Sequence, residues 1–271
     1  MSRLLLLLIA VCSPVFCQSH FDWKAQFEAG ANPDEAVRSK ARETGYVAFN
    51  RLCEGKPDFV AQELSQIAEQ LESNNPEIKV QASGVFSVLN LCRQDTQQLF
   101  SGLYPAFVRL AQSNAPILAR ANGIAAIAES KPQAPTGYVD FFKQEVDTGN
   151  RNLAGPAIYG LLRAADREPE AVAVLHGLLI NPITHPGTPD FRLSVLKSMQ
   201  GVPVKSAILI RDFNVILASK DRSIVLAALD AIARIGKPAI EDNQIQLNTL
   251  THSDDAEIRG MAAELLKRLT L

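Results

Sequence analysis

The sequence predicts an all-α protein in which pairs of helices repeat along most of the chain. Composition favours a folded helical chain, because 47% of the 271 residues are apolar and only 6% are aromatic. No stretch alternates apolar and polar residues for long enough to indicate a strand. A helical template also recurs seven times from residue 33 to the end, and such recurrence indicates a repeat architecture.

The charge balance limits the partners that the protein can bind. Lysine and arginine together number 27 and acidic residues number 29, which gives a formal net charge of −2. Proteins that bind a phosphate backbone normally carry a strong basic excess. We therefore expect no nucleic-acid partner. The chain is long enough to bury one large core or several smaller ones.

The first nineteen residues have the pattern of a cleaved signal peptide. Arg3 precedes a run of eight apolar residues from Leu4 to Val11. An apolar stretch of about 7–15 residues after a positive start is typical of secretory signals. Cleavage after Cys17 or Ser19 is expected, so residues 1–19 predict a secreted or periplasmic protein.

Two other interpretations of this segment are less well supported. A transmembrane anchor needs about 20 apolar residues, and this stretch reaches only about 14 even when it is extended to Cys17. A lipid anchor would use Cys12 or Cys17, but the preceding Val11 and Phe16 are bulkier than the residue such sites usually carry. We expect neither a transmembrane span nor a lipid anchor.

Residues 20–32 form a lead-in, and residues 33–271 carry the repeat. Each copy begins with a residue whose side chain can cap a helix N-terminus, and an apolar residue follows three positions later. The expected caps are Asp34, Asn75, Asn114, Asn150, Thr188, Asp221 and Asp255. The apolar residues are Val37, Ile78, Ile117, Leu153, Phe191, Ile224 and Ile258.

A small residue four positions further on lets a neighbouring helix approach closely. It is alanine in six copies, and the full set is Ala41, Ala82, Ala121, Ala157, Val195, Ala228 and Ala262. Successive members of this set are 33 to 41 residues apart. Seven matches in chain order are more than chance supplies.

A second set of helices fills the intervals between the copies. Apolar residues at helical spacing predict helices over Asp58–Leu71, Thr96–Ala111, Tyr138–Val146, Glu168–Leu179, Lys205–Ala218 and Ile240–Leu250. Glycine and proline residues occur in the connections between these helices. Helix pairs that recur at this period predict an α-solenoid superhelix of about seven pairs.

The template Asp-x-x-Ile-Arg-x-x-Ala resembles that of HEAT repeats. The best copies are Asp34–Ala48, Asn75–Leu89 and Asp255–Leu266, and a basic residue follows the first apolar one at Arg38, Lys79, Arg192 and Arg259. The resemblance implies a non-enzymatic scaffold that binds another protein through its concave face. HEAT-like proteins also include bilin lyases and DNA alkyl-glycosylases. An enzyme, or a chaperone-like lyase subunit acting on a small ligand or protein, is therefore the alternative.

In solenoids of this kind the template helices line the concave face. The columns three and six positions after the first apolar residue should face solvent there. They supply the candidate partner-binding residues Lys40, Glu43, Gln81, Arg120, Tyr159, Lys197 and Asp230. Tyr159 follows copies with glycine in the same column, which predicts a shallow contact point. The alternative is a mixed, solvated surface without a specific partner.

No residue pattern indicates catalysis, a cofactor or a metal. The four histidines are far apart and none has metal-ligand spacing; they are His20, His176, His185 and His252. The chain also lacks the nucleophile elbow, phosphate loop and dinucleotide fingerprint. His176 lies among leucines and is interpreted as a partly buried helix residue.

Cys53 and Cys92 remain once the predicted signal is removed. Both follow a leucine at the end of a template helix, and stacked helices lie about 8–10 Å apart. The two residues are out of step by two positions relative to the template, whereas a disulfide needs Cα atoms within about 7 Å. A disulfide and two buried structural thiols both stay open, and a redox or metal role is a third option.

Overall fold

The computed structural model describes residues 20–130, 137–181 and 190–269, and within these ranges the protein is entirely helical. Sixteen α-helices and one 3-10 turn occur there, and no strand. The prediction of an all-α protein is confirmed. Residues 1–19, with the predicted signal peptide, lie outside the described residues, as do His185 and the expected cap Thr188.

The helices form two sets that alternate along the chain. The template row carries the repeat and comprises α2 Glu35–Glu54, α4 Pro76–Leu89, α7 Ile117–Ser130, α9 Arg151–Ala164, α11 Arg192–Met199, α13 Arg222–Ile235 and α16 Ala256–Lys267. The companion row comprises α3 Pro57–Glu69, α5 Thr96–Ser101, α6 Tyr104–Gln112, α8 Tyr138–Asp147, α10 Pro169–Ile180, α12 Ala207–Ile216, α14 Lys237–Asp242 and α15 Gln244–Leu250. Helix α1 Trp23–Gly30 precedes both rows, and the 3-10 turn Gln70–Glu72 follows α3.

Contacts between helices follow chain order within each row. Each template helix contacts the next one, from α2 and α4 to α13 and α16. In the companion row α8 contacts α10, α10 contacts α12, and α12 contacts α14. The two rows also contact each other through chain neighbours such as α6 with α7 and α8 with α9. One continuous apolar core therefore runs between the rows.

The predicted caps are correct at five helices. The side chains of Asp34, Asn75, Asn150, Asp221 and Asp255 each accept a hydrogen bond from a backbone N–H in the first turn of their helix. The prediction for Asn114 is wrong, because α7 begins only at Ile117. At the start of α11, Asp190 Oδ1 accepts from the Arg192 backbone N–H at 2.9 Å.

The column of small residues is buried in every copy, as predicted. The first apolar position is buried in five copies, but Val37 and Ile117 are exposed. Ile117 is the first residue of α7, and side chains on a helix tilt toward its N-terminus, so this side chain projects beyond the helix. Val37 lies on the end helix of the row, which has a neighbour on one side only.

In the companion row, two helices that the sequence predicts as continuous are each divided into two in the structure. The predicted helix Thr96–Ala111 divides into α5 and α6 around Gly102 and Leu103. The predicted helix Ile240–Leu250 is interrupted at the fully buried Asn243. The amide of Asn243 donates to the backbone carbonyls of Ile210 at 3.0 Å and Ala239 at 2.8 Å. These bonds satisfy the buried side-chain N–H groups of Asn243 and tie α12 to the break.

Candidate functional sites

A groove opens at the N-terminal end of the template row, and we call it the N-terminal groove. Helix α1 packs against α2, α3 and α4, so α2 stands away from α4. The cavity between them has a volume of about 580 Å³ and is lined by Phe27, Tyr46, Phe49, Gln81 and Val88, among others. The Tyr46 side chain is 68% exposed. A concave, mostly apolar surface with a few polar groups is the usual form of a binding site.

The two arginine side chains at the rim of the groove, Arg38 and Arg42, are already paired. Arg38 donates through Nη1 to the carbonyls of Asn32 and Pro33, each at 2.7 Å. Arg38 and Arg42 both contact the Glu35 carboxylate. Hydrogen bonds from Arg42 and then Arg38 lower the pKa of Glu35. The rim is therefore polar without carrying a large net charge.

A disulfide and an arginine fasten α2 to the chain after α4. Cys53 and Cys92 are bonded, with their Cα atoms 5.5 Å apart. Arg93 Nη1 donates to the carbonyls of Leu52 at 2.7 Å and Gly55 at 2.8 Å, where the end of α2 leaves carbonyls without helical partners. Asp95 receives two hydrogen bonds from Arg93, at 2.7 and 2.6 Å, and these bonds lower the pKa of Asp95.

His20 and Trp23, at the start of the described residues, are anchored to α3. The Glu63 carboxylate of α3 is buried and accepts from Trp23 Nε1 at 2.6 Å. The Nδ1 atom of His20 lies 2.7 Å from the other carboxylate oxygen. Helix α1 is thus held in the position that opens the groove.

The candidate partner-binding residues are spread along the template row. Exposed members are Lys40, Glu43, Lys197 and Asp230, and partly buried ones are Gln81, Arg120 and Tyr159. Among the residues that line the N-terminal groove, Gln81 is the member of this set. Arg120 already donates through Nε to the Ala111 carbonyl at 2.7 Å. The set does not converge on one spot.

Tyr159 belongs to a polar cluster around Glu129, which is 7% exposed. Its hydroxyl donates to Glu129 Oε1 at 2.5 Å, and Asn90 Nδ2 donates to the same oxygen at 3.0 Å. Arg163 Nη1 lies 3.4 Å from Glu129 Oε2. Burial, and then the hydrogen bond to Glu129, raises the pKa of Tyr159. These bonds join α4, α7 and α9, so Tyr159 links neighbouring template helices in addition to presenting part of its ring to solvent.

A second cavity, which we call the His176 cleft, lies between α10 and α12. It has a volume of about 560 Å³. Its wall comprises Asp166 and Arg167 before α10, Val172, Ala173 and His176 on α10, and Lys205, Ser206 and Ile208 at the start of α12. Lys205 Nζ and Asp166 Oδ2 form an ion pair of 3.3 Å at its rim.

The histidine of this cleft is held by a buried carboxylate. His176 Nδ1 lies 2.9 Å and 3.0 Å from the two carboxylate oxygens of Asp212. Asp212 is only 5% exposed, and its burial raises its pKa, while the hydrogen bond from His176 opposes that change. The sequence interpretation of His176 as a partly buried helix residue describes its position but misses this partner.

One feature of the sequence indicates that Asp212 is in an unusual position. It is three residues after Leu209 and four before Ile216, both buried in the structure, so it occupies the apolar face of its own helix. A carboxylate on such a face needs a partner. Only the packing of α10 on α12 reveals that the partner is His176, 36 residues earlier.

Two other kinds of functional feature are missing from the residues that the structure describes. No group of three or more His, Cys, Asp or Glu side chains that could hold a metal ion occurs among the residues the structure describes. Within the same residues, no helix combines the length and the apolar character needed to cross a bilayer.

Comparison with known proteins places the chain in no named group. No family model matches it, and no curated protein matches it. A crystal structure of an engineered protein from the Northeast Structural Genomics Consortium aligns over 92% of this chain and 68% of its own, with 15% identity and a TM-score of 0.46. A second engineered protein from the same consortium aligns over 92% and 98%, with 17% identity and a TM-score of 0.32. Both likenesses are too weak to carry an argument about fold or function.

Proposed function

We propose that the chain is an exported α-solenoid of about seven HEAT-like helix pairs that binds another protein. The alternation of two helix rows, each in contact along the chain order, supports this architecture. Repeat proteins of this kind provide long surfaces for partners. The step from fold to binding is an argument by analogy, and the N-terminal groove is the observation that makes it specific.

The groove suits a partner segment with an apolar anchor. Its wall offers the exposed side chains of Tyr46 and Val88 and the partly buried ring of Phe49, and Gln81 supplies an amide. Aromatic side chains at the centre of an interface usually carry most of its binding energy. A partner helix or extended strand that inserts a large apolar side chain, with polar groups on either side, fits these features. In this proposal the groove binds the partner and catalyses no reaction.

Site-specific photo-crosslinking tests this proposal. The exported fraction of the source cells supplies the partner, and a photoreactive phenylalanine analogue replaces Tyr46 in the full chain. We expect a discrete crosslinked product at this position. The matched control is Ile245 on α15, whose side chain is 78% exposed but lies outside the groove; the same analogue there should give no such product.

A groove variant makes the test independent of the crosslinker. Val88→Asp adds a charge to the apolar wall, because the Val88 side chain is exposed in the groove and needs no repacking of the core. We expect the product at position 46 to disappear in this variant while its thermal unfolding is unchanged. Equal crosslinking at positions 46 and 245, or a product that survives Val88→Asp, would count against the groove as the binding site.

The predicted export has its own test. The N-terminal sequence of the mature protein should begin between Gln18 and His20, because the signal peptide is removed during secretion. A mature protein that retains residues 1–17 would contradict secretion by this route, and the partner search would then move to another compartment.

One observation favours the alternative of an enzyme. The His176 cleft joins a large cavity to a histidine with a buried acidic partner, and a perturbed carboxyl group in a cleft is a common feature of active sites. It shares no lining residue with the N-terminal groove, so it is a separate site.

A further inference from the structure

The walls of the N-terminal groove are the faces of two helices. Along α2 the lining residues recur every three or four positions, at Arg38, Arg42, Tyr46 and Phe49. Along α4 they have the same spacing, at Glu77, Gln81, Gly84 and Val88. Residues three or four positions apart lie on one side of a helix, and each of these faces is about three turns long. The groove is therefore a channel between two helix faces.

The next copy of the repeat shows what covers this face of a template helix. The positions of α7 that correspond to Gln81, Gly84 and Val88 of α4 are Arg120, Gly123 and Ile127. Arg120 Nε donates to the backbone carbonyl of Ala111 in α6 at 2.7 Å. A Cβ atom at Gly123 would lie 3.3 Å from Leu110 Cδ2, also in α6, and Ile127 is fully buried. In this copy a helix, α6, packs directly on the face.

The same face of α4 is open where it borders the groove. A Cβ atom at Gly84 would have no neighbour within 4 Å, and Val88 is 40% exposed although its counterpart Ile127 is buried. Helix α1 ends at Gly30, which lies against the Gln81 side chain. The open part of the groove thus corresponds, on α4, to the place that α6 occupies on α7.

We propose that the partner segment bound by the N-terminal groove is an amphipathic α-helix, which packs on α4 as α6 packs on α7. This inference rests on the proposed function and specifies the class of partner. The partner helix carries large apolar residues three or four positions apart, as α6 carries the buried Phe107 and Leu110. Because Gly84 has no side chain, the backbone of the partner helix can approach α4 closely.

An extended partner segment fits the groove less well. Extended peptides commonly bind by adding a strand to the edge of a sheet, and the described part of the chain contains no strand. A helix whose apolar residues recur at three and four positions instead binds a groove between other helices. Glu35 already pairs with Arg38 and Arg42 at the rim, so the contacting face of the partner helix is expected to be uncharged.

A constrained peptide that copies α6 tests the helical class of the partner. The probe is a fluorescent peptide with the sequence of residues 103–113, in which a lactam bridge replaces the side chains of the exposed Pro105 and Arg109. The bridge is needed because so short a helix is marginal in water. Fluorescence anisotropy with the full chain should show binding. Phe107→Ala together with Leu110→Ala in the peptide should weaken it by at least about tenfold, because apolar anchors carry most of such binding energy.

Two matched variants of the protein locate the peptide. Gly84→Leu fills the open part of the groove and should weaken binding by at least about tenfold, since its side chain excludes the peptide backbone. Gly260→Leu is the control, because Gly260 lies on α16 and a Cβ atom there also has no neighbour within 4 Å. It should bind the peptide as the wild type does. Equal binding by the two variants would place the peptide outside the groove and overturn the inference.

The remaining outcomes separate this inference from the proposed function. An unbridged peptide with Val108→Pro cannot form the helix, and if it binds as well as the bridged peptide, the groove takes an extended segment. Failure of the bridged peptide to bind, with the crosslinked product at Tyr46 still formed, would overturn the helical partner and leave the groove as a binding site. Failure of both would overturn both. Dimers of the wild-type chain that Gly84→Leu abolishes would assign the groove to a second copy and also contradict the inference.

Discussion

The N-terminal end and the middle of the template row are stabilised by different interactions. In the middle, α7 packs against α4, α6 and α9 through a surface of small residues, and most of its side chains are buried. At the N-terminal end, α2 is twenty residues long but buries only Ala41, Ala48 and Leu52. Its attachment depends on the Cys53–Cys92 disulfide, on Arg93 and on α1.

This difference shows how two rows of helices can leave a groove at one end while the end helix stays attached. An end helix has a neighbour on one side only, and separating α2 from α4 exposes it further. The covalent link and the carbonyl bonds of Arg93 act near the C-terminus of α2, so the groove can widen at the opposite end of the helix. In the middle, Gly160 on α9 lies against the ring of Phe142 and Gly123 on α7 lies against Leu110, so neighbouring helices approach closely there.

The largest effect is expected from removal of the disulfide. Replacing Cys53 and Cys92 together by serine opens a link between residues 39 positions apart, which the chain-entropy relation values at about 4 kcal/mol. Because the link serves the N-terminal end, hydrogen exchange should accelerate in α1 and α2 and remain slow in α7 and α9. Uniform acceleration along the chain would show that the two regions unfold as one unit.

Thiol labelling is the control for this prediction. Under non-reducing conditions the denatured wild-type protein should react with no thiol reagent at Cys53 or Cys92. Two labelled thiols would mean that these residues contribute by packing alone, and the serine variant should then cost much less.

Two glycine substitutions compare the packing in the middle of the template row with the packing beside the N-terminal groove. A Cβ atom at Gly160 on α9 would lie 2.3 Å from the ring of Phe142, a fully buried residue, whereas at Gly84 on α4 no atom lies within 4 Å. Gly160→Ala should therefore destabilise by about 1–3 kcal/mol through overpacking. Gly84→Ala should stabilise by about 0.5–1 kcal/mol, because alanine favours the helix. Denaturant unfolding measures both, and a destabilising Gly84→Ala would contradict the open groove.

Acidic residues of the two regions should give stability the opposite dependence on pH. Hydrogen bonds from Arg93 lower the pKa of Asp95, so its contribution is present above the ordinary value of 3.8 and is lost as pH falls. Burial raises the pKa of Glu145 on α8. The folded protein then holds its proton more tightly than the unfolded chain does, and stability falls as pH rises above 4.5.

The matched variants are Asp95→Asn and Glu145→Gln, and the measurement is the free energy of unfolding between pH 3 and pH 7. Asp95→Asn should lose most stability at neutral pH and little in acid. Glu145→Gln should reduce the decline of stability toward neutral pH. Equal pH profiles for the two variants would show that the electrostatic contrast between the regions is absent.

The sequence predicted those parts of the fold that depend on local chemistry. Caps such as Asp221 and the column of small residues depend on neighbours within one helix or on a single repeated contact, so their pattern is visible in the chain. The break at Asn243 was not predictable, because it depends on a hydrogen bond to Ile210 in another helix. A polar side chain within an apolar helix signals an unusual position without naming its partner.

The candidate sites were harder to predict from the sequence, because they also depend on contacts between different helices. Gln81 was identified from its column, but the groove beside it exists because α1 lies between α2 and α4, and residues 20–32 appeared only as a lead-in. His176 and Asp212 lie 36 residues apart on different helices. Their meeting follows from how α10 packs on α12, which periodicity alone does not determine.

The smallest effect distinguishes Asn75, which caps α4 near the groove, from Asn114, which lies before the start of α7 in the middle of the row. Asn75 Oδ1 accepts from the Glu77 backbone N–H at 3.0 Å at the start of α4, so Asn75→Ala should cost about 1 kcal/mol. Asn114 lies three residues before the first helical residue of α7, and Asn114→Ala should change the unfolding free energy by less than about 0.5 kcal/mol, as is usual for surface positions. Thermal melts of the two variants decide the point. Equal costs would restore Asn114 as a cap and place the start of α7 earlier, which would make the repeat register uniform through the middle of the row.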